Sequence, residues 1–129
     1  MQNPIRIGTD IVEFRQIAEE TANDPDFVFN LLTKDEMKLY ESLGAAERLG
    51  FLAGRYAAKE AVLKSISAKK ALRYDEVEIL PGRDGQPYVV YSMPVREILA
   101  REKLHFIEIS IARSKNYAVA TAVAGRDKR

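Results

Sequence analysis

The longest helical reading in the chain covers residues 45–66, a stretch rich in Ala and Leu and free of Pro. Strong helix formers in that number specify about six turns, around which everything else must be arranged. At 100° per residue, Phe51, Leu52, Tyr56, Val62, Leu63 and Ile66 share one broad arc, the expected core face. Arg55 and Lys59 project from within that arc, so they either reach out to solvent along their aliphatic stems or meet an anion. Glu60 and Lys64 stand one turn apart on another face, beside Ala53, Ala57 and Ala61. These short side chains predict a shallow groove that a ligand or a backbone can approach.

The flanking segments complete the class. Residues 5–9 alternate Ile5, Ile7 and Thr9 against Arg6 and Gly8, the two-residue period of a half-buried strand, with Asp10 at its end. The spacing of Val12, Phe14, Ile17 and Ala18 predicts a short helix over 12–20, before a polar break at Asn23-Asp24-Pro25-Asp26. Thr33 and Glu36 have capping-box spacing ahead of a second helix carrying Met37, Leu39, Tyr40 and Leu43. Val77, Ile79, Tyr88 and Val90 flank Gly82-Arg83-Asp84-Gly85 as a hairpin. Ser92 and Pro94 open a short helix through Leu99, and residues 106–112 and 117–123 are expected strands. Residues 126–129 read as a frayed tail. The expectation is a mixed α+β fold in which an antiparallel sheet packs against the long helix, built as one domain over residues 1–129.

Composition narrows the chemistry. Twenty Lys and Arg against 19 Asp and Glu give a charge of +1, so the global field offers nothing to nucleic acid or to an anionic membrane. An anionic ligand must be held by a local cluster. The sequence has no Cys, which removes disulfides, thiolate metal sites and thiol nucleophiles together. With no apolar run of about 18 residues and no basic-then-apolar opening, a cytoplasmic protein is expected.

Local rules leave two roles open for each charged residue. Glu60 and Lys64 could be a surface ion pair contributing about 0.3–0.5 kcal/mol. Asp10 and Glu13 have the spacing of a capping box for the first helix, and Asp10 suits a ligand role equally well.

The string Phe51-Leu52-Ala53-Gly54-Arg55-Tyr56-Ala57-Ala58-Lys59-Glu60-Ala61, with Ile7-Gly8-Thr9-Asp10-Ile11 before it, closely resembles the holo-acyl-carrier-protein synthase family. The likeness continues in order through Leu32-Thr33 with Glu36, Asp84-Gly85-Gln86-Pro87-Tyr88, Ser110-Ile111 and Tyr117-Ala118-Val119-Ala120. It implies transfer of phosphopantetheine from coenzyme A to a serine of an apo acyl carrier protein, with release of adenosine 3′,5′-bisphosphate. In the family an Asp on the first strand and a Glu on the long helix hold Mg²⁺, with a Lys one turn beyond the Glu. Asp10, Glu60 and Lys64 match them and become the implied catalytic set, Asp10 and Glu60 being the implied metal ligands. Mg²⁺ takes one or two carboxylates and fills its remaining positions with phosphate oxygens and water, which suits this pair. Lys64 would stabilise the leaving phosphate, and Glu60 is a candidate for accepting the serine proton. Arg55, Lys59, Ser110 and Arg113 are the implied coenzyme A contacts, and the resemblance also implies a homotrimer with sites between subunits.

Two departures stand out. Bacterial members usually end the penultimate strand with a His near the coenzyme A phosphates, where this chain has Ser110-Ile111-Ala112-Arg113. Arg keeps a cation that grips phosphate with two donors, but it cannot shuttle a proton. Glu108 replaces a second common His and adds a negative charge, while His105 matches neither position. In addition, the first helix of the family commonly carries several basic residues toward an acidic carrier protein, and here Arg15 is the only cation from Glu13 to Glu20. Weaker steering and an atypical carrier protein are expected. The rival reading is a non-catalytic coenzyme A or phosphate-binding relative, and a purely structural oligomerisation domain ranks below both.

Overall fold

The computed structural model describes residues 4–127. The chain runs β1 (Ile5–Glu13), α1 (Phe14–Asn23), α2 (Phe27–Leu31), α3 (Lys34–Ser42) and α4 (Ala45–Ser65), then a 3₁₀ turn (Tyr74–Glu76). It continues through β2 (Ile79–Pro81), β3 (Pro87–Val89), α5 (Met93–Glu102), β4 (Phe106–Arg113) and β5 (Tyr117–Gly125). The mixed class, the long helix and the hairpins follow the sequence reading. Five-residue α2 does not figure in that reading, because one turn is too short to show a period.

Three strands form an antiparallel sheet in the order β1-β5-β4, so the first strand of the chain docks beside the last. The register runs from Ile5 opposite Gly125 to Glu13 opposite Tyr117. On one face β5 presents Ala118, Ala120, Ala122 and Ala124, all essentially without exposure, and β1 adds Gly8 and Val12. Against this smooth surface lies α4. A Cβ at Gly8 would collide with the Ala61 carbonyl and come within 2.9 Å of the Ser65 nitrogen. Helix and strand therefore meet backbone to backbone, an approach that only Gly permits here.

This packing settles one expectation and corrects two. The groove beside Ala53, Ala57 and Ala61 takes backbone, one of its two expected occupants: all three are fully buried, and the sheet fills it. The helix is buried on nearly every side from Phe51 to Leu63, so its core surface is much wider than one arc. The second correction concerns β1, whose apolar Ile5, Ile7 and Ile11 face outward with 49%, 68% and 62% exposure. Close approach at Gly8, not hydropathy, selected the inward face, because a side chain there would collide with the helix backbone.

The predicted capping box forms, with Thr33 Oγ1 accepting from Glu36 N at 3.3 Å and Glu36 Oε1 accepting from Thr33 N at 2.8 Å. Arg126, placed in the tail by the sequence reading, is tied down: its Nε donates to Lys103 O at 2.8 Å and its backbone nitrogen to Pro4 O at 3.1 Å. Lys128 and Arg129 lie outside the described residues. Among the described residues no helix is long and apolar enough to cross a membrane.

Candidate active site

Strand β1 continues three residues past Asp10, which therefore sits in mid-strand opposite Ala120 rather than at a strand end. The two-residue period places its carboxylate on the same side as Gly8 and Val12, toward α4. Its capping role disappears: the cap of α1 is Glu13, and no side chain caps that helix end. Instead Asp10 Oδ1 accepts from Lys64 Nζ at 3.4 Å, and Lys64 also donates to Thr9 O at 3.0 Å. Lys64 thus turns across to the strand rather than back along the helix toward Glu60.

Glu60 finds other partners. Its Oε1 accepts from Lys69 Nζ at 2.7 Å, and its Oε2 accepts from the Tyr74 hydroxyl. Lys69 is brought there by the way α4 ends. Ser67 adopts φ 56°, and Ala68 N donates to Leu63 O at 2.9 Å, the reversal that commonly closes a helix. Burial pushes the Glu60 carboxyl up, but the hydrogen bonds from Lys69 and Tyr74 and the charges of Lys69 and Lys64 outweigh it and hold the group below the usual carboxylate range. Burial first, then the bonds to Glu60 and Tyr56, raises the Tyr74 phenol well above its ordinary value, so it remains a neutral donor.

Asp10, Glu60, Lys64 and Lys69 thus form one cluster where the strand crosses the helix. Among the described residues no group of three or more His, Cys, Asp or Glu is arranged to hold a metal. Two carboxylates and no third protein ligand suit a hard cation that completes its shell with phosphate and water, and do not suit a dedicated protein cage. The donor set therefore fits Mg²⁺.

A second cluster lies toward the other end of α4. Gly54, Arg55, Phe51, Pro81, Ile111 and Arg113 line a cleft of about 320 Å³. The Arg55 guanidinium lies 4.5 Å from the Phe51 ring centre, and its Nε donates to Ile79 O at 3.1 Å. Burial lowers the Arg55 pKa, Glu36 opposes that, and the Arg113 guanidinium adds to the lowering. The cleft thus brings two cations together, with the Glu36 carboxylate 3.9 Å from Arg55 as a counter-charge.

Lys59 departs from expectation. It is fully buried, and its ammonium donates to Leu31 O at 2.6 Å, Glu36 Oε1 at 2.6 Å and Tyr74 O at 3.0 Å. All three protons are committed inside the protein, so Lys59 has none to offer coenzyme A. Ser110 also lies apart from Arg113: the two are three positions apart, and that odd spacing puts them on opposite faces of β4. Glu108 shares the outer face with Ser110, so its charge is directed away from the arginine cleft. His105 is exposed before β4, where its Nδ1 accepts from Asp127 N at 2.8 Å.

Lys69 and Tyr74 escaped sequence reasoning. Lys69 follows Glu60 by nine residues across a helix end, where no periodic rule applies. The only signal was the Lys69-Lys70 pair just beyond the helix, which reads equally well as a response to the negative end of the helix dipole.

The sequence model of the 4′-phosphopantetheinyl transferase superfamily matches residues 6–122. A holo-acyl-carrier-protein synthase of Anoxybacillus flavithermus is 32% identical over 124 residues, which is 95% of this chain and 96% of that protein. Among solved structures, a holo-acyl-carrier-protein synthase from Plasmodium yoelii superposes with a TM-score of 0.84 at 26% identity, covering 98% of each chain. One from Bacillus anthracis, in complex with coenzyme A (3′,5′-ADP), gives 0.78 at 28% identity over 95% of this chain and 96% of the other. With its cluster of two carboxylates and its arginine cleft on the shared fold, this chain belongs to the holo-acyl-carrier-protein synthase family of 4′-phosphopantetheinyl transferases.

Proposed function

We propose that this chain moves the phosphopantetheine group of coenzyme A onto a serine of an apo acyl carrier protein and releases adenosine 3′,5′-bisphosphate. The observation that carries this reading is the meeting of Asp10 and Lys64 where β1 crosses α4, with Glu60 one turn earlier on the same helix. Asp10 and Glu60 would hold Mg²⁺, which would supply polarisation of the attacked phosphorus and offset developing charge. The serine Oγ forms the new bond to phosphorus as the bond to the departing nucleotide oxygen breaks. Lys64 stabilises that oxygen. Glu60 is the group assigned to take the serine proton, and Lys69, which helps keep it a weak base, leaves first. Arg55 and Arg113 grip the coenzyme A phosphates in their shared cleft.

The protein is further proposed to work as a homotrimer in the cytoplasm, a single domain per subunit. Supporting this, the outer sheet face leaves Ile5, Ile7, Ile11, Tyr117 and Val119 exposed, a patch that an assembly would cover. Ser110 stands on that same face, so it serves coenzyme A bound by a neighbouring subunit. Steering of the carrier protein is weak, because Arg15, the lone cation at the start of α1, is paired with Glu19 at 3.3 Å.

Incubation with coenzyme A, Mg²⁺ and apo carrier protein, followed by intact-mass analysis, tests the reading. One phosphopantetheine per carrier is expected, and none in excess chelator. Coenzyme A binding without transfer would leave the non-catalytic relative, and full turnover in chelator would remove the metal from the scheme.

A further inference from the structure

Glu60 presents two oxygens, and both are occupied. The two occupants differ. Tyr74 approaches from the protein side, where its ring packs against Tyr56 at 5.6 Å between centroids. Lys69 approaches from solvent: its side chain is 52% exposed against 9% for Glu60, and it hangs from the turn that closes α4. An open cavity of about 510 Å³ lined by Glu60, Lys69, Arg73 and Tyr74 leaves room for the ammonium to move away. Glu60 therefore already holds one cation, and it is an amine of the chain itself.

We propose that Lys69 is a built-in counter-ion that occupies the exchangeable oxygen of Glu60 and must be displaced before a divalent cation binds, so that this residue sets the metal concentration at which the site loads. The inference rests on Asp10 and Glu60 being the metal ligands. A divalent ion at a coordination distance of about 2.1 Å from Glu60 Oε1 stands within about 5 Å of an ammonium still bonded to that oxygen, and like charges at that separation repel. Tyr74 carries no charge and can remain, keeping the carboxylate oriented while Lys69 leaves. The lysine thus supports Glu60 in the empty site and competes in the loaded one. Lys64 differs in kind: it is bonded to Asp10 and to a backbone carbonyl, and it leaves both Glu60 oxygens untouched.

The test is binding of Mn²⁺, followed by the electron paramagnetic resonance of the free ion, to protein saturated with coenzyme A and without carrier protein, so that no turnover occurs. Lys69→Met is expected to tighten binding about fivefold, the factor corresponding to loss of one partly exposed ion pair. Lys70→Met removes the same charge one residue away and is expected to change affinity less than about twofold. Tightening in Lys69→Met alone supports displacement. Equal tightening in both variants reduces the effect to net charge and overturns it, as does unchanged or weakened binding in Lys69→Met. Glu60→Gln and Asp10→Asn separate this outcome from failure of the metal reading. If they bind Mn²⁺ as wild type does, the ligands have been misassigned and the inference falls with them; if they lose it while Lys69→Met equals wild type, only the inference falls.

Discussion

Helix α4 carries two acid–base clusters separated by a fraction of a turn, and they behave oppositely. Lys59 and Glu36 are both fully buried and 2.6 Å apart. Every donor and acceptor there is used: Glu36 also accepts from Thr33 N and from Ile79 N at 2.9 Å, joining α3, α4 and the start of β2. Next along the helix, Glu60 and Lys64 reach different partners at the molecular edge, in pairs with 41% and 52% exposure on their lysines. The residue types are the same in both. The buried cluster cannot be rearranged without leaving a charge stranded in the interior, whereas the edge cluster can exchange partners at little cost. Only the second is free to take new partners.

The comparison can be broken at its functional end first. Asp10→Ala or Glu60→Ala should lower turnover by about a thousandfold or more, ~4 kcal/mol in activation free energy, while shifting stability by less than about 1 kcal/mol. Steady-state rates beside urea melts check both halves, and an unfolded variant would show that the edge cluster is structural after all. At the buried end, Lys59→Met should cost about 3–5 kcal/mol of stability, because buried Glu36 loses its nearest charge partner and keeps only Arg55, 3.9 Å away. The double variant Lys59→Met with Glu36→Met should recover part of that loss, and an unchanged denaturation midpoint in the single variant would refute the assignment.

Smaller effects sharpen the contrast. Arg113→Ala should weaken coenzyme A binding by about 2 kcal/mol, the scale of a charge-assisted hydrogen bond. Calorimetric titration decides this, and equal affinities would place Arg113 outside the site. The smallest effect concerns acid. The folded Glu60 value is depressed, so its stabilising contribution is complete above the unfolded carboxylate value of about 4.3 and is lost as pH falls through the lower folded value. Glu60→Gln should therefore be less stable than wild type at neutral pH, by under about 1 kcal/mol, and the gap should close below about pH 4. A gap independent of pH would contradict the linkage.

Much of the site is legible in the order of the amino acids. The Glu60 to Lys64 spacing, the Thr33 and Glu36 capping box and the long helix depend on neighbours within four residues, and such relations survive in any fold containing the helix. The separation of Ser110 from Arg113 is legible too, because an odd spacing along a strand fixes opposite faces; the family pattern groups residues that one subunit cannot bring together. Lys59 falls correctly in the apolar arc, and one of the two roles left open, meeting an anion, is the role it plays.

By itself the sequence determined the longer elements, the one-turn spacing of Glu60 and Lys64 on the long helix, and the exclusion of thiol chemistry, since each follows from local propensity, period or composition. Which anion Lys59 meets, which face of β1 turns inward, and that Lys69 rather than Lys64 holds Glu60 were decided only in three dimensions. In each of these cases the deciding neighbour is distant in the chain: Glu36 lies 23 residues from Lys59, Ala61 blocks any side chain at Gly8, and the turn at Ser67 brings Lys69 back to Glu60. Charges and close packing are settled by whatever the completed fold brings within a few ångströms, and no period of 2 or 3.6 residues encodes that distance.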